Sequence, residues 1–123
     1  MLVLICGVGR AGKSTYSEAF EDVIHFDLVG RMAERYRNIN EIVSHKDNAV
    51  IEGIYDRKEF RIELLKAYKG NDKRCIWLNT PKSVVLERMA KDGIPVTQEH
   101  FYFEPPTYSE GWDEIIVIGE NNG

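Results

Sequence analysis

The apolar run Leu2-Val3-Leu4-Ile5-Cys6 leads directly into Gly7-Val8-Gly9-Arg10-Ala11-Gly12-Lys13-Ser14. This is the Walker A pattern, and it carries meaning only with a strand before it and a helix after it. Both flanks are present: five apolar residues precede it, and Tyr16, Ala19 and Phe20 follow at helical spacing. The glycines let the backbone wrap closely enough for its N–H groups to face phosphate oxygens. The next helix adds unpaired N–H groups and the positive end of its dipole. Gly7, Val8, Gly9, Arg10, Ala11, Gly12, Lys13, Ser14 and Thr15 are therefore expected to hold a nucleoside triphosphate. Lys13 is expected to reach the β and γ phosphates, and Ser14 to ligate Mg2+. Thr15 either touches the α phosphate or packs in the first helical turn.

The rest of the chain alternates short apolar runs with helical patterns. Strands are expected at Leu2 to Cys6, Val23 to Phe26, Ala49 to Ile51 and on to Gly53, Arg74 to Leu78, and Glu114 to Ile118. Helices are expected from Lys13 to about Asp22 and from Gly30 to about Ser44, the latter with Met32, Tyr36, Ile39 and Val43 inward. Two more are expected at Lys58 to Tyr68 and at Pro81 to Lys91, the last opened by Thr80 as its cap. This alternation implies an α/β fold with a mainly parallel sheet covered on both faces. The continuously apolar Leu2 to Cys6 belongs at its centre. Ligands belong at the carboxyl ends of the strands. The tail from Glu120 to Gly123 reads as frayed.

With 123 residues the chain has room for one core, so a single domain over 1–123 is expected to hold every site. A net charge of -4 argues against a broad, non-specific nucleic-acid surface but allows a local basic funnel. Cys6 and Cys75 lie in or beside apolar runs without Cys-x-x-Cys spacing, the pattern of buried free thiols and not of a zinc site. Leu2 to Cys6 is too short for the core of a signal peptide, and no later run approaches the ~20 apolar residues of a membrane span. A cytoplasmic protein without a membrane partner is the expectation. Trp77 and Trp112 read as core residues before base-stacking platforms.

A guanine-reading Asn-Lys-x-Asp element is missing, which argues against a switch GTPase. Val50-Ile51-Glu52 is the nearest approach to an acidic strand end of the Walker B kind. Glu52 could orient magnesium there through water, or it could simply face solvent.

The chain resembles the small P-loop kinases that include phage polynucleotide 5'-hydroxyl kinases, with nucleoside monophosphate kinases as more distant relatives. The resemblance spans nearly the whole length. It rests on Gly7 to Thr15, His25-Phe26-Asp27 with Arg31, Val50 to Gly53, Ile76 to Pro81 leading to Leu86-Glu87-Arg88-Met89, and Phe103-Glu104-Pro105-Pro106 followed by Glu110 to Ile115. It implies a three-layer P-loop NTPase fold with five parallel strands in the order 2-3-1-4-5. It further implies ATP and Mg2+ as cofactors, and transfer of the γ-phosphoryl group to a hydroxyl, foremost the 5'-hydroxyl of a polynucleotide end. A (deoxy)nucleoside monophosphate or modified-nucleotide kinase is the alternative, and a non-catalytic nucleotide-binding module is a third.

The resemblance assigns Asp27 to activation of the acceptor hydroxyl, whereas its position before the second helix would equally suit an N-cap. It sets Arg31 near Asp27 to grip an acceptor phosphate, though at a longer spacing than is usual. Arg88 and Lys91 match its basic lid, a short segment near 88–103 with Gly93 as hinge. Lys91 stands where a second arginine is more usual, so a bidentate clamp is not implied. Arg57 and Arg61 could hold the substrate backbone or could be solvent-facing helix charges.

Overall fold

Leu2–Cys6 forms β1, and its place in the sheet explains its composition. In the computed structural model, which describes residues 1–119, all five of its residues are buried. β1 pairs in parallel with β3 (Ala49–Gly53) on one side and with β4 (Lys73–Leu78) on the other. β2 (Val23–His25) lies outside β3, and β5 (Glu114–Ile118) lies outside β4. The order is therefore 2-3-1-4-5, every pairing is parallel, and the expectation for the sheet is met. The tail beginning at Glu120 lies outside the described residues.

Both faces of this sheet are covered, which makes three layers. Leu2, Leu4, Cys6 and Ile51 meet Ile39 and Val43 of α2 (Arg35–Val43) and Leu64 and Leu65 of α3 (Lys58–Ala67). Val3, Ile5, Ile76 and Leu78 form the other core with Ala11, and Tyr16 and Phe20 pack onto it from α1 (Lys13–Ser17) and the turns after it. α4 (Lys82–Lys91) buries Val85 and Met89. Cys6 and Cys75 are buried free thiols with Sγ atoms 3.7 Å apart. Trp112 is buried, and Trp77 stacks on Phe103 with ring centroids 5.5 Å apart. In register, Cys6 stands beside Gly53 and Trp77, and His25 beside Glu52. The phosphate loop, Asp27 and Glu52 thus emerge at one edge of the sheet.

The helix boundaries depart from the sequence pattern where polar contacts outcompete the next turn. α1 stops at Ser17, whose buried hydroxyl donates to the Ser14 carbonyl, and the chain leaves in tight turns with Ala19 exposed. The second helix begins at Arg35 and not near Gly30. Gly30 sits at φ 112, Arg31 is extended, and Met32–Glu34 forms only a 3-10 turn with Met32 66% exposed. Arg35 Nε and Asn38 Nδ2 bond the Gly30 and Val29 carbonyls, which pins this non-helical entry. Asp27 falls in a separate 3-10 turn, Phe26–Leu28, and does not cap α2. Pro81, not Thr80, occupies the cap position of α4, because the Thr80 hydroxyl is used elsewhere.

Candidate active site

A glycine loop binds phosphates only if its peptides turn their N–H groups inward, so its carbonyls must point outward and find donors there. Three consecutive carbonyls do. Gly9 O accepts from His100 Nε2 at 2.9 Å, Arg10 O from Arg88 Nη1 at 2.9 Å, and Ala11 O from Thr80 Oγ1 at 2.6 Å. These donors come from the 3-10 turn Gln98–Phe101, from α4, and from the β4–α4 junction. Gly7 and Gly12 are required by position: both have positive φ, and a Cβ on Gly7 would lie 2.8 Å from the Leu78 carbonyl oxygen.

Lys13, only 8% exposed, donates from Nζ to Val8 O at 2.9 Å, closing the loop on itself. Burial lowers its pKa, and the facing carboxylate of Glu52 is the strongest group opposing that shift, with Cys6 and Asp27 adding to it. Glu52 is itself 8% exposed and accepts from His25 Nδ1 at 2.8 Å. It is therefore an inward, oriented carboxylate and not a solvent-facing strand end.

Above the strand ends opens a cleft of about 1030 Å3. Its walls include Lys13, Ser14, Thr15, Asp27, Glu52, Arg88, Lys91 and His100. The structure thus brings the phosphate loop, both expected carboxylates and both expected lid cations around one space.

Three expected substrate residues are not brought there. Arg61 is fully buried: its Nε and Nη2 bond the two Glu110 carboxylate oxygens at 2.8 and 3.0 Å, and its Nη1 bonds Tyr55 O at 2.7 Å. A guanidinium spent in this way braces α3 against the 3-10 turn Tyr108–Glu110 and cannot hold a substrate backbone. Arg57 sits at the start of α3, its guanidinium 4.7 Å above the Tyr102 ring, and Arg31 is exposed on the extended entry to α2; neither lines the cleft. Arg35 pairs with Asp27 instead, with Nη1 3.4 Å from Oδ1. Because the helix starts late, Arg35 and not Arg31 turns toward that carboxylate.

Sequence reading missed Arg35, His25, Thr80 and His100. His25 could have been found from its place opposite Glu52 in a β2–β3 pair, and Thr80 from its hydroxyl beside a strand end. His100 gives no local signal, since it meets Gly9 across 91 positions.

No protein-family model matches the sequence, and no curated protein sequence matches it. Solved structures do share the fold. A gluconokinase from Sinorhizobium meliloti 1021 superposes with a TM-score of 0.72 at 17% identity, covering 95% of this chain and 81% of that one. The structure of APE1195 superposes with a TM-score of 0.57 at 14% identity, covering 94% and 83%. The chain shares the fold of these proteins. At these identities the likeness reaches the fold alone and does not extend to the polynucleotide kinase family. Among the described residues, no helix is long and apolar enough to cross a membrane.

Proposed function

We propose that this chain is an ATP-dependent phosphotransferase that moves the γ-phosphoryl group to a hydroxyl of a small acceptor, such as a (deoxy)nucleoside monophosphate or modified nucleotide. The observation that carries the proposal is the phosphate loop with its three outward carbonyls tied down, facing Asp27 across one cleft. Loop N–H groups and Lys13 hold the β and γ phosphates, and Thr15 stands beside the α phosphate. The Ser14 hydroxyl and the Glu52 carboxylate are hard oxygen donors on the cleft wall, which suits Mg2+, an ion that keeps several waters and takes few protein ligands. When bound there, Mg2+ neutralises charge on the phosphate oxygens. His25 keeps Glu52 turned inward.

Asp27 accepts the proton of the acceptor hydroxyl as its oxygen forms the new bond to phosphorus and the bond to the ADP oxygen breaks. Its side chain is 81% exposed, so an incoming hydroxyl can reach it. Arg88 and Lys91, at the start of the proposed lid over 88–103, place positive charge near the transferring group.

The small acceptor is preferred over a polynucleotide end for a structural reason. The arginines that would have tracked a nucleic-acid backbone are buried in the Arg61–Glu110 pair, or lie outside the cleft as Arg31 and Arg57 do. A protein of the same fold is a gluconokinase, which agrees with a small acceptor. The test offers γ-labelled ATP with nucleoside monophosphates, modified nucleotides, sugar acids and 5'-hydroxyl oligonucleotides. Label on a hydroxyl oxygen of a small acceptor supports the proposal, whereas label on a monophosphate's own phosphate, which has no hydroxyl proton for Asp27 to take, contradicts it. Label confined to oligonucleotides returns the polynucleotide reading, and binding of ATP with no transfer to any class points to a non-catalytic module.

A further inference from the structure

The donor on Gly9 O separates this site from a bare phosphate loop. His100 lies on the returning arm of the segment that follows α4, and its Nε2 can only donate to a carbonyl, which fixes the proton on that nitrogen. In a trans peptide C=O and N–H point in opposite directions. Holding Gly9 O outward therefore turns the N–H of Arg10 toward the inside of the loop, where phosphate oxygens are to be received. The contact is close: a Cβ built on Gly9 would stand 2.9 Å from His100 Cε1, although the Gly9 backbone itself would accept an L side chain. Two further contacts seat the same arm. Phe103 stacks on Trp77, and Lys82 Nζ lies 4.8 Å from the Phe101 ring centroid. These two hold the arm to β4 and α4. Among the described residues, the His100 side chain makes the arm's one hydrogen bond to the phosphate loop.

We infer that His100 is a positioning residue: it presets the Gly9–Arg10 peptide for phosphate binding and thereby couples seating of the 98–103 arm to occupation of the loop. It rests on the reading that the loop receives the donor's phosphates. Arg88 shares the task at Arg10 O, but a cation wanted over the transferring phosphoryl group must leave that carbonyl. His100 can stay throughout. The coupling is reciprocal by linkage: if the arm tightens the loop on phosphates, phosphates tighten the arm.

The experiment follows amide hydrogen exchange in residues 97–104 and the affinity for a non-hydrolysable ATP analogue with Mg2+. It uses wild type, His100→Ala, His100→Gln, Gly9→Ala and the Gly9→Ala/His100→Ala double variant. His100→Ala should raise exchange in 97–104 of the free protein and weaken analogue binding by roughly three- to tenfold, the scale of one hydrogen bond. His100→Gln, which keeps an N–H donor at similar reach, should recover most of both. Gly9→Ala should loosen 97–104 by displacing the imidazole, and should add nothing to that exchange once His100 is already alanine. In wild type the analogue should protect 97–104, and in His100→Ala that protection should shrink. Wild-type exchange in His100→Ala overturns the inference. So does faster exchange with unchanged affinity, which would reduce His100 to a strut for the arm. A glutamine variant as impaired as alanine overturns it as well. If the wild type binds no analogue, the proposed function itself fails, an outcome told apart because the free-protein exchange would still report the contact between arm and loop.

Discussion

Arg61→Ala should cost stability and not substrate affinity, and the size of the loss follows from what surrounds the side chain. Arg61 is fully buried and Glu110 is 1% exposed in its side chain. Truncating the arginine removes both bonds to Glu110 and the bond to the Tyr55 carbonyl. Among the described residues, it leaves a buried carboxylate supported by Trp112 Nε1 and the Thr107 turn. Breaking a buried pair in this way costs about 3–5 kcal/mol. With an unfolding entropy of about 2.1 cal/mol/K per residue, that corresponds to a fall in Tm of roughly 12–20 °C for a chain of this length. Arg61→Met/Glu110→Leu removes both charges together and should recover most of the loss, because no unpaired ion remains. Thermal and urea unfolding of the three proteins measure this. A single variant melting within about 4 °C of wild type while losing acceptor affinity would refute the reasoning and put Arg61 back in the site.

Other outcomes follow from the same geometry. Lys13→Ala should weaken ATP binding and slow turnover together, since the phosphate contact proposed for its ammonium would hold in both ground and transition states; nucleotide titration beside steady-state kinetics checks this. Thr80→Val, which frees Ala11 O but keeps the shape, should raise the KM for ATP by roughly two- to tenfold with kcat less affected. Acid should unfold the protein partly through Glu110. Burial pushes its carboxyl up, but the bonds from Arg61 and Trp112 outweigh burial and hold it below the ordinary 4.5. Its folded pKa is thus depressed, so its contribution is complete above the unfolded value and is lost as pH falls through the folded one. Unfolding free energy measured from pH 6 down to pH 2 should drop less steeply in Arg61→Met/Glu110→Leu than in wild type.

What was legible in the sequence was whatever local pattern determines. Leu2–Cys6 is apolar on both faces because neighbours cover both, so its central place could be read directly. The Walker A residues carry their geometry in their identities. Asp27 and Glu52 could be placed because strand ends in a parallel sheet fall on one edge. The arginines were another matter. Arg57 and Arg61 look alike in sequence as cations one helical turn apart, yet one lies over Tyr102 and the other inside the core. That division depends on Glu110 arriving from 49 positions away. The family resemblance set Arg31 beside Asp27, but the helix expected from Gly30 begins only at Arg35, because a positive φ at Gly30 and two side-chain bonds to backbone carbonyls override the periodicity, and Arg35 meets Asp27. His100 depends wholly on tertiary structure.

The central claim is that Asp27 takes the proton from an acceptor hydroxyl while the phosphate loop holds ATP, and single-turnover transfer tests it most directly. Wild type and Asp27→Asn are each loaded with Mg2+ and γ-labelled ATP, with nucleotide affinity measured in parallel, and the small acceptor found active is then added. The account predicts affinity within about twofold of wild type, since Asp27 makes no hydrogen bond to a group assigned to the phosphates and acts on Lys13 less than Glu52 does, and transfer slowed by roughly 10²–10⁴. Transfer in Asp27→Asn at a rate near wild type, with ATP fully bound, would contradict it.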